Sequence, residues 1–320
     1  LSIQRIVSLL PAATEMVCAL GLRDQLVGVS HECDFPADVA GLPVLTRPRA
    51  AFPPDSEGID RAVREVMESA LSVYEVEAER LVGLRPDLVV TQDLCDVCAV
   101  SREQVCAAVA EMAGPEVQVA SLTPTRLEHL FDDLARLGEA TGRQDEAARQ
   151  IASLRGRLDA LARRADAVGH RPNVLTLEWL APPMVGGTWM PELVACAGGT
   201  TLAASPGDHA PQLTPEQLAA LDPAPDVVLI KPCGFDMTRT LGEWKLLVDL
   251  LAPMPWPALR EGRVWLADGN AYFNRPGPRL VDSAEILAAC VHPEVFGDLA
   301  EQHAAGFMRL DLSGGAPDLG

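Results

Sequence analysis

The chain reads as an α/β protein of two lobes, each built on a doubly wound parallel sheet, joined by one long backbone helix. Three observations predict this. Short β-branched runs alternate with helical stretches; two landmarks of the first half recur in the same order in the second; and one central segment has helical spacing without an internal proline. The 320 residues, 48% hydrophobic and 22% charged, suffice for two modest domains.

Arg5–Leu10 is a short apolar strand, followed by Pro11, a helix over Ala12–Leu20 and the stop Gly21. A second strand is predicted at Leu26–Val29, then a proline-rich irregular stretch over 34–56 and a helix at Ile59–Ala70. Leu84-Arg85-Pro86-Asp87 ends a helix and leads into the buried strand Leu88–Thr91. Helices at 101–112 and 125–140 flank a strand at Val117–Leu122. In the second half, Asn173–Leu177 is a strand, 178–188 an irregular loop, and Pro191–Ala197 a helix stopped by Gly198-Gly199. Leu221-Asp222-Pro223-Ala224-Pro225-Asp226 then repeats the Pro-Asp junction before Val227–Ile230.

Between the halves, Ala148, Ile151, Leu154, Leu158 and Leu161 follow the period of an amphipathic helix. The expected organisation is a first lobe at 1–140, a linking helix at 141–169, a second lobe at 170–295 and a tail at 296–320. The tail, with Ser313-Gly314-Gly315-Ala316-Pro317 near its end, reads as a surface wrap or a partly disordered end.

Charge narrows the function. Lys and Arg number 26 against 45 Asp and Glu, a formal charge of −19 that repels phosphate backbones, so nucleic acid is excluded as a partner. No apolar run approaches the roughly 18 residues of a membrane helix, and no signal-like segment is visible, so no membrane insertion is expected. Dinucleotide, P-loop, nucleophile-elbow and zincin motifs are absent, and no carboxylate pair stands at acid–base spacing; the expectation is not an enzyme.

In doubly wound sheets, ligands meet the loops beyond the carboxyl ends of the strands, which for two lobes means a cleft between them. Those loops hold Pro11, Glu32, Trp179, Trp189, His209, Phe235, Tyr272, Phe273 and Arg275, the candidate ligand-binding residues. Five aromatics concentrate there, either to contact a flat or bulky ligand or, as loop tryptophans also do, to pack on their own lobe. Of the cysteines, Cys18, Cys196 and Cys290 sit in apolar helical runs as small core residues. Cys95 and Cys98 form a CxxC that, with His31, Cys33 or Cys233, offers a thiolate–imidazole set for zinc or iron. A redox pair or two buried thiols are the other readings of the same spacing.

The segments RIVSLLPAATEMVCALG, LVGVSHECDFP, LRPDLVVTQ, NVLTLEWLAPPMVGGTWMPELVACAGG and LTPEQLAALDPAPDVVLI resemble the helical-backbone (class III) solute-binding proteins of ABC importers, nearest their cobalamin-binding group. The resemblance spans roughly residues 3–295. It implies two Rossmann-like lobes, no catalysis, and a monomer that holds cobalamin, another corrinoid or a related metal chelate for a membrane permease. It also implies docking through lobe-surface glutamates, here Glu75 or Glu77 and Glu192 or Glu216, and a periplasmic or extracytoplasmic location. The lack of a visible signal segment leaves a cytoplasmic role as the other expectation. Two departures stand out: Glu32 lies between His31 and Cys33 where cobalamin binders carry an aromatic, and Asp208–Pro211 has no tryptophan. A soluble metal-binding or redox protein using His31, Cys33, Cys95, Cys98 and Cys233 is the alternative reading.

Overall fold

A computed structural model describes residues 3–49, 51–68, 73–92 and 117–317. The chain divides into two compact units, one of Leu1–Pro54, Gly58–Pro124 and Glu128–Ser153, the other of Asp55–Glu57, Thr125–Leu127 and Leu154–Gly320.

In the first unit the elements are β1 (Ile6–Ser8), α1 (Pro11–Ala19), β2 (Leu26–Val29), β3 (Thr46–Pro48), α2 (Ser56–Glu68), β4 (Tyr74–Val76), α3 (Ala78–Gly83), β5 (Leu88–Gln92), β6 (Gln118–Leu122) and α4 (Leu127–Thr141). Four strands form a parallel sheet in the order β2-β1-β5-β6. Every residue of β1 and β5 is buried, which is why both open on consecutive apolar residues rather than alternating ones, with Ser8, Thr91 and Gln92 as buried polar ends. The proline-rich stretch at 34–56 is not wholly irregular: β3 pairs antiparallel with β4, and Pro48 is tolerated because it ends a two-stranded ribbon.

The second unit contains β7 (Asn173–Leu180), β8 (Pro183–Val185), a helix at Met190–Cys196, β9 (Thr200–Thr201), a short helix at Pro215–Ala219, β10 (Val227–Ile230), three short helices between Met237 and Arg260, β11 (Val264–Ala267), helices at Leu280–Val291 and Gly297–Gln302, and β12 (Phe307–Arg309). Strands run in the order β12-β11-β10-β7-β8, with β9 also on β7. The centre is parallel, and β8 and β12 close the edges antiparallel. Two expectations are corrected here. Residues 178–188 are no simple loop, because β7 runs on to Leu180 and turns into β8. The described tail is built into the unit as far as β12, because Phe307 buries its ring and β12 pairs with β11.

The helix Gln144–Asp166, 23 residues long, carries the chain across the boundary between the units. It buries Ala147, Leu154, Leu158, Leu161 and Ala165 along one stripe. Both Pro-Asp landmarks do the same physical work. The Asp87 carboxylate accepts from the backbone N–H of Gln4 and Arg5 at 2.8 and 2.9 Å, and the Asp226 carboxylate accepts from that of Asn173 at 2.8 Å. Each side chain satisfies backbone donors at the start of its unit's first strand. The helix stops are equally matched: Gly21 and Gly198 adopt φ of 70° and 81°, a region costly to residues with a Cβ. Among the described residues no helix is long and apolar enough to cross a membrane.

Candidate functional site

In the first unit, Pro11 occupies the first turn of α1, where its missing N–H costs nothing. Its loop is tied below by Thr14, whose hydroxyl lies 2.8 Å from Ser8 Oγ and donates to Cys33 Sγ at 3.1 Å. Cys33 is thereby buried under the loop rather than presented from it. His31 turns elsewhere. Its Nδ1 lies 2.7 Å from Thr46 Oγ1 and its ring packs edge-on against Tyr74 at 4.8 Å. Desolvation in that packing holds the imidazole below its ordinary pKa, against the pull of the Glu32 charge. The Tyr74 hydroxyl donates to Glu32 Oε1 at 2.8 Å, so Glu32 is positioned by β4, an element absent from the sequence reading.

The carboxyl ends of the second unit's strands carry a denser lattice. Lys231, immediately after β10, has no exposed side-chain surface; its Nζ lies 2.7 Å from Glu178 Oε2 and donates to Asn274 Oδ1 at 2.8 Å. The Asn274 amide donates in turn to the carbonyls of Lys231 and Gly269 at 3.1 and 2.8 Å. Gly269 is obligatory: a Cβ there would stand 2.1 Å from the Pro232 carbonyl oxygen. Arg275 is buried and donates to Asn270 Oδ1 at 2.8 Å. None of Lys231, Glu178 and Asn274 was singled out from the sequence. A signal existed, since Leu177 pairs with Ile230 in parallel register and the next residues, Glu178 and Lys231, carry opposite charges.

The aromatics divide. Trp179 and Tyr272 are partly exposed; Trp189, Phe235 and Phe273 are 6%, 1% and 0% exposed and offer no ligand surface in this structure. They act as supports. The Phe235 ring packs edge-on against Trp179 at 5.2 Å with the Arg239 guanidinium 3.9 Å from its centroid, and the Trp189 indole donates to the Phe273 carbonyl at 2.7 Å. His209 and Cys233 are exposed, and the Cys233 N–H donates to the Glu178 carbonyl at 2.9 Å.

Among the described residues no group of three metal-ligating side chains includes His31, Cys33 or Cys233, the three expected to complete a set with the CxxC pair. Cys95 and Cys98 lie outside the described residues. Among the described residues the one such group is Asp282, Glu285 and His303, and a guanidinium already bridges its two carboxylates. Arg157 lies 2.5 Å from Asp282 Oδ1 and holds both oxygens of Glu285, at 2.9 and 2.7 Å, while His303 Nε2 lies 2.8 Å from Glu285 Oε2.

All four surface glutamates have partners, Glu216 only a hydrogen bond with Thr214 in the same turn. Glu75 takes Arg47 and Arg49, Glu77 lies 3.6 Å from Arg80, and Glu192 accepts from Arg126 and from the Leu127 N–H at 2.8 Å each. Glu216 is exposed at the start of its helix.

Residues 6–271 match the family described as Periplasmic binding protein. A vitamin B12-binding protein of Vibrio parahaemolyticus is 22% identical over 293 residues, 91% of this chain and 90% of that protein. A solved periplasmic heme binding protein from Pseudomonas aeruginosa superposes with a TM-score of 0.68 at 25% identity, over 92% of this chain and 94% of that one. The periplasmic vitamin B12 binding protein of Vibrio cholerae gives 0.65 at 20% identity, over 91% and 97%.

Proposed function

The chain belongs to the periplasmic binding protein family and is a binding protein rather than an enzyme, and from that premise we propose that it carries a metal tetrapyrrole, cobalamin or another corrinoid first among them, to an ABC permease. One observation carries the reading. At the carboxyl ends of the second unit's parallel strands, partly exposed Trp179, on β7 itself, and Tyr272, in the loop after β11, accompany a rigid polar lattice centred on Lys231. Flat apolar surface beside fixed polar groups is what a large, rigid, amphipathic ring needs to bind in one orientation. In the first unit, taken by itself, Pro11 and Glu32 stand beyond the ends of β1 and β2.

On this reading the protein works outside the cytoplasm as a monomer. Permease contact falls to exposed Glu216 on the second unit and to Glu77 on the first, where a permease arginine has to compete only with Arg80 at 3.6 Å. The test is retention. Purified protein is mixed with cyanocobalamin or, in parallel, hemin, passed through gel filtration and read by absorbance. One equivalent of corrinoid in the protein peak supports the proposal. A colourless peak with both probes overturns it.

A further inference from the structure

We propose that Glu178, locked in place by Lys231 and Asn274, is the residue by which this protein selects a chelate fringed with hydrogen-bond donors over one fringed with carboxylates. The inference rests on the tetrapyrrole-binding reading and narrows its ligand class. Glu178 stands near the carboxyl end of β7, with its side chain 22% exposed while Lys231 beside it is wholly covered. Only one of its oxygens, Oε2, is taken up by the lysine, and Oε1 has no hydrogen-bond partner in the structure.

The lattice removes the freedom that would let another group take this role. Lys231 cannot swing out to meet a ligand anion without abandoning two hydrogen bonds and a burial in which an unpaired ammonium is strongly disfavoured. Asn274 is fixed by three hydrogen bonds, and the Arg275 guanidinium is buried on Asn270. Arg239 and Arg279 lie over the rings of Phe235 and Tyr272, at 3.9 and 5.7 Å. What the Glu178–Lys231–Asn274 lattice offers a ligand is therefore an acceptor, the second carboxylate oxygen of Glu178, whose lysine partner is withdrawn from solvent, while the exposed Arg239 is packed on the Phe235 ring.

Such an acceptor rewards carboxamide N–H and hydroxyl groups and repels carboxylates. The fringe of a corrinoid carries carboxamides, whereas heme carries two propionates. A site built on a fixed hydrogen-bond acceptor discriminates more strongly than an apolar pocket, because a mismatched partner leaves a desolvated charge unanswered.

The experiment is calorimetric titration of the full chain with cyanocobalamin, hemin, and hemin whose propionates are esterified. Wild type should bind cyanocobalamin more tightly than hemin, and the diester at least tenfold more tightly than hemin. The double variant Glu178→Gln/Lys231→Met, which removes both charges without stranding either, should narrow the gap between hemin and diester to within about threefold. Wild type that prefers hemin, or that binds hemin and diester equally, overturns the inference and leaves tetrapyrrole binding standing. So does an unchanged gap in a folded double variant. Binding of none of the three probes overturns both. The wild-type comparison of hemin with its diester decides the matter even where the variant does not fold.

Discussion

The indole N–H of Trp189 donates a 2.7 Å hydrogen bond to the carbonyl of Phe273, joining two loops that stand 84 residues apart in the chain. Phe273 has φ of 66°, a conformation that costs a residue with a Cβ, and its N–H is held by Ser283 Oγ at 2.8 Å. Trp189 thus works by holding the 268–277 loop in a strained shape. Trp189→Phe keeps most of the buried ring but strands a carbonyl, at a cost of about 1–3 kcal/mol. Cyanocobalamin affinity should fall with stability, whereas Tyr272→Ala, at a partly exposed ring, should lower affinity with stability nearly unchanged. Denaturant melts beside titration calorimetry check this, and unaltered affinity in Trp189→Phe would count against the supporting role.

Arg157 and Glu285 set the anchorage of the long helix. The Glu285 side chain is only 9% exposed; burial opposes its ionisation, but hydrogen bonds from His303 and Arg157 outweigh that and hold the carboxyl below its ordinary range. A depressed carboxylate stabilises the fold above its unfolded pKa of 4.5, and that contribution is lost as pH falls through the folded value. Arg157→Met should cost roughly 2–4 kcal/mol at neutral pH by leaving two carboxylates uncompensated. The deficit should shrink below pH 4.5, and thermal melts across pH show whether it does.

Asp133 has the opposite sign. It is 1% exposed within the helix Leu127–Thr141, and its Oδ2 has no hydrogen-bond partner. Burial pushes its carboxyl from 3.8 up to about 7, against the pull of Arg136. Between those values the unfolded chain has released a proton that the folded chain keeps, so stability falls as pH rises through the window and the loss is complete above about 7. Asp133→Asn should therefore stabilise by roughly 2–4 kcal/mol at pH 8. The gain should vanish near pH 4. A melting difference independent of pH would show that Asp133 is not protonated in the fold.

What was legible in the sequence was what local chemistry dictates. Asp87 and Asp226 announce two strand starts, Gly21 and Gly198 two helix stops, and the four apolar residues Val227–Ile230 a buried strand. What was hidden depends on partners far along the chain. Glu178 and Lys231 are 53 residues apart and meet only because β7 and β10 lie in register. The loop aromatics were counted as one set, yet Phe235 and Phe273 are buried where Trp179 and Tyr272 are not, and no periodicity distinguishes them. β3 and β12 escaped because three-residue strands owe their existence to the edges they pair with.

The cysteines supply a last prediction. Cys18, Cys196 and Cys290 have thiols raised by burial, Cys18 to about 11, which leaves a thiolate fraction on the order of one in ten thousand at pH 7. Cys33 is buried and accepts from Thr14. Cys233 alone of these five is exposed. Brief maleimide treatment of native protein, read by peptide mass spectrometry, should label Cys233 and leave the other four until denaturant is added. Saturating cyanocobalamin should slow Cys233 labelling several-fold, because its backbone is bonded to Glu178 at the strand end where the ligand is proposed to lie. Rapid labelling of Cys33 would mean that the loop over it opens and makes its thiol accessible to a metal. Cys233 labelling at full speed in the bound state would place it outside the ligand's footprint.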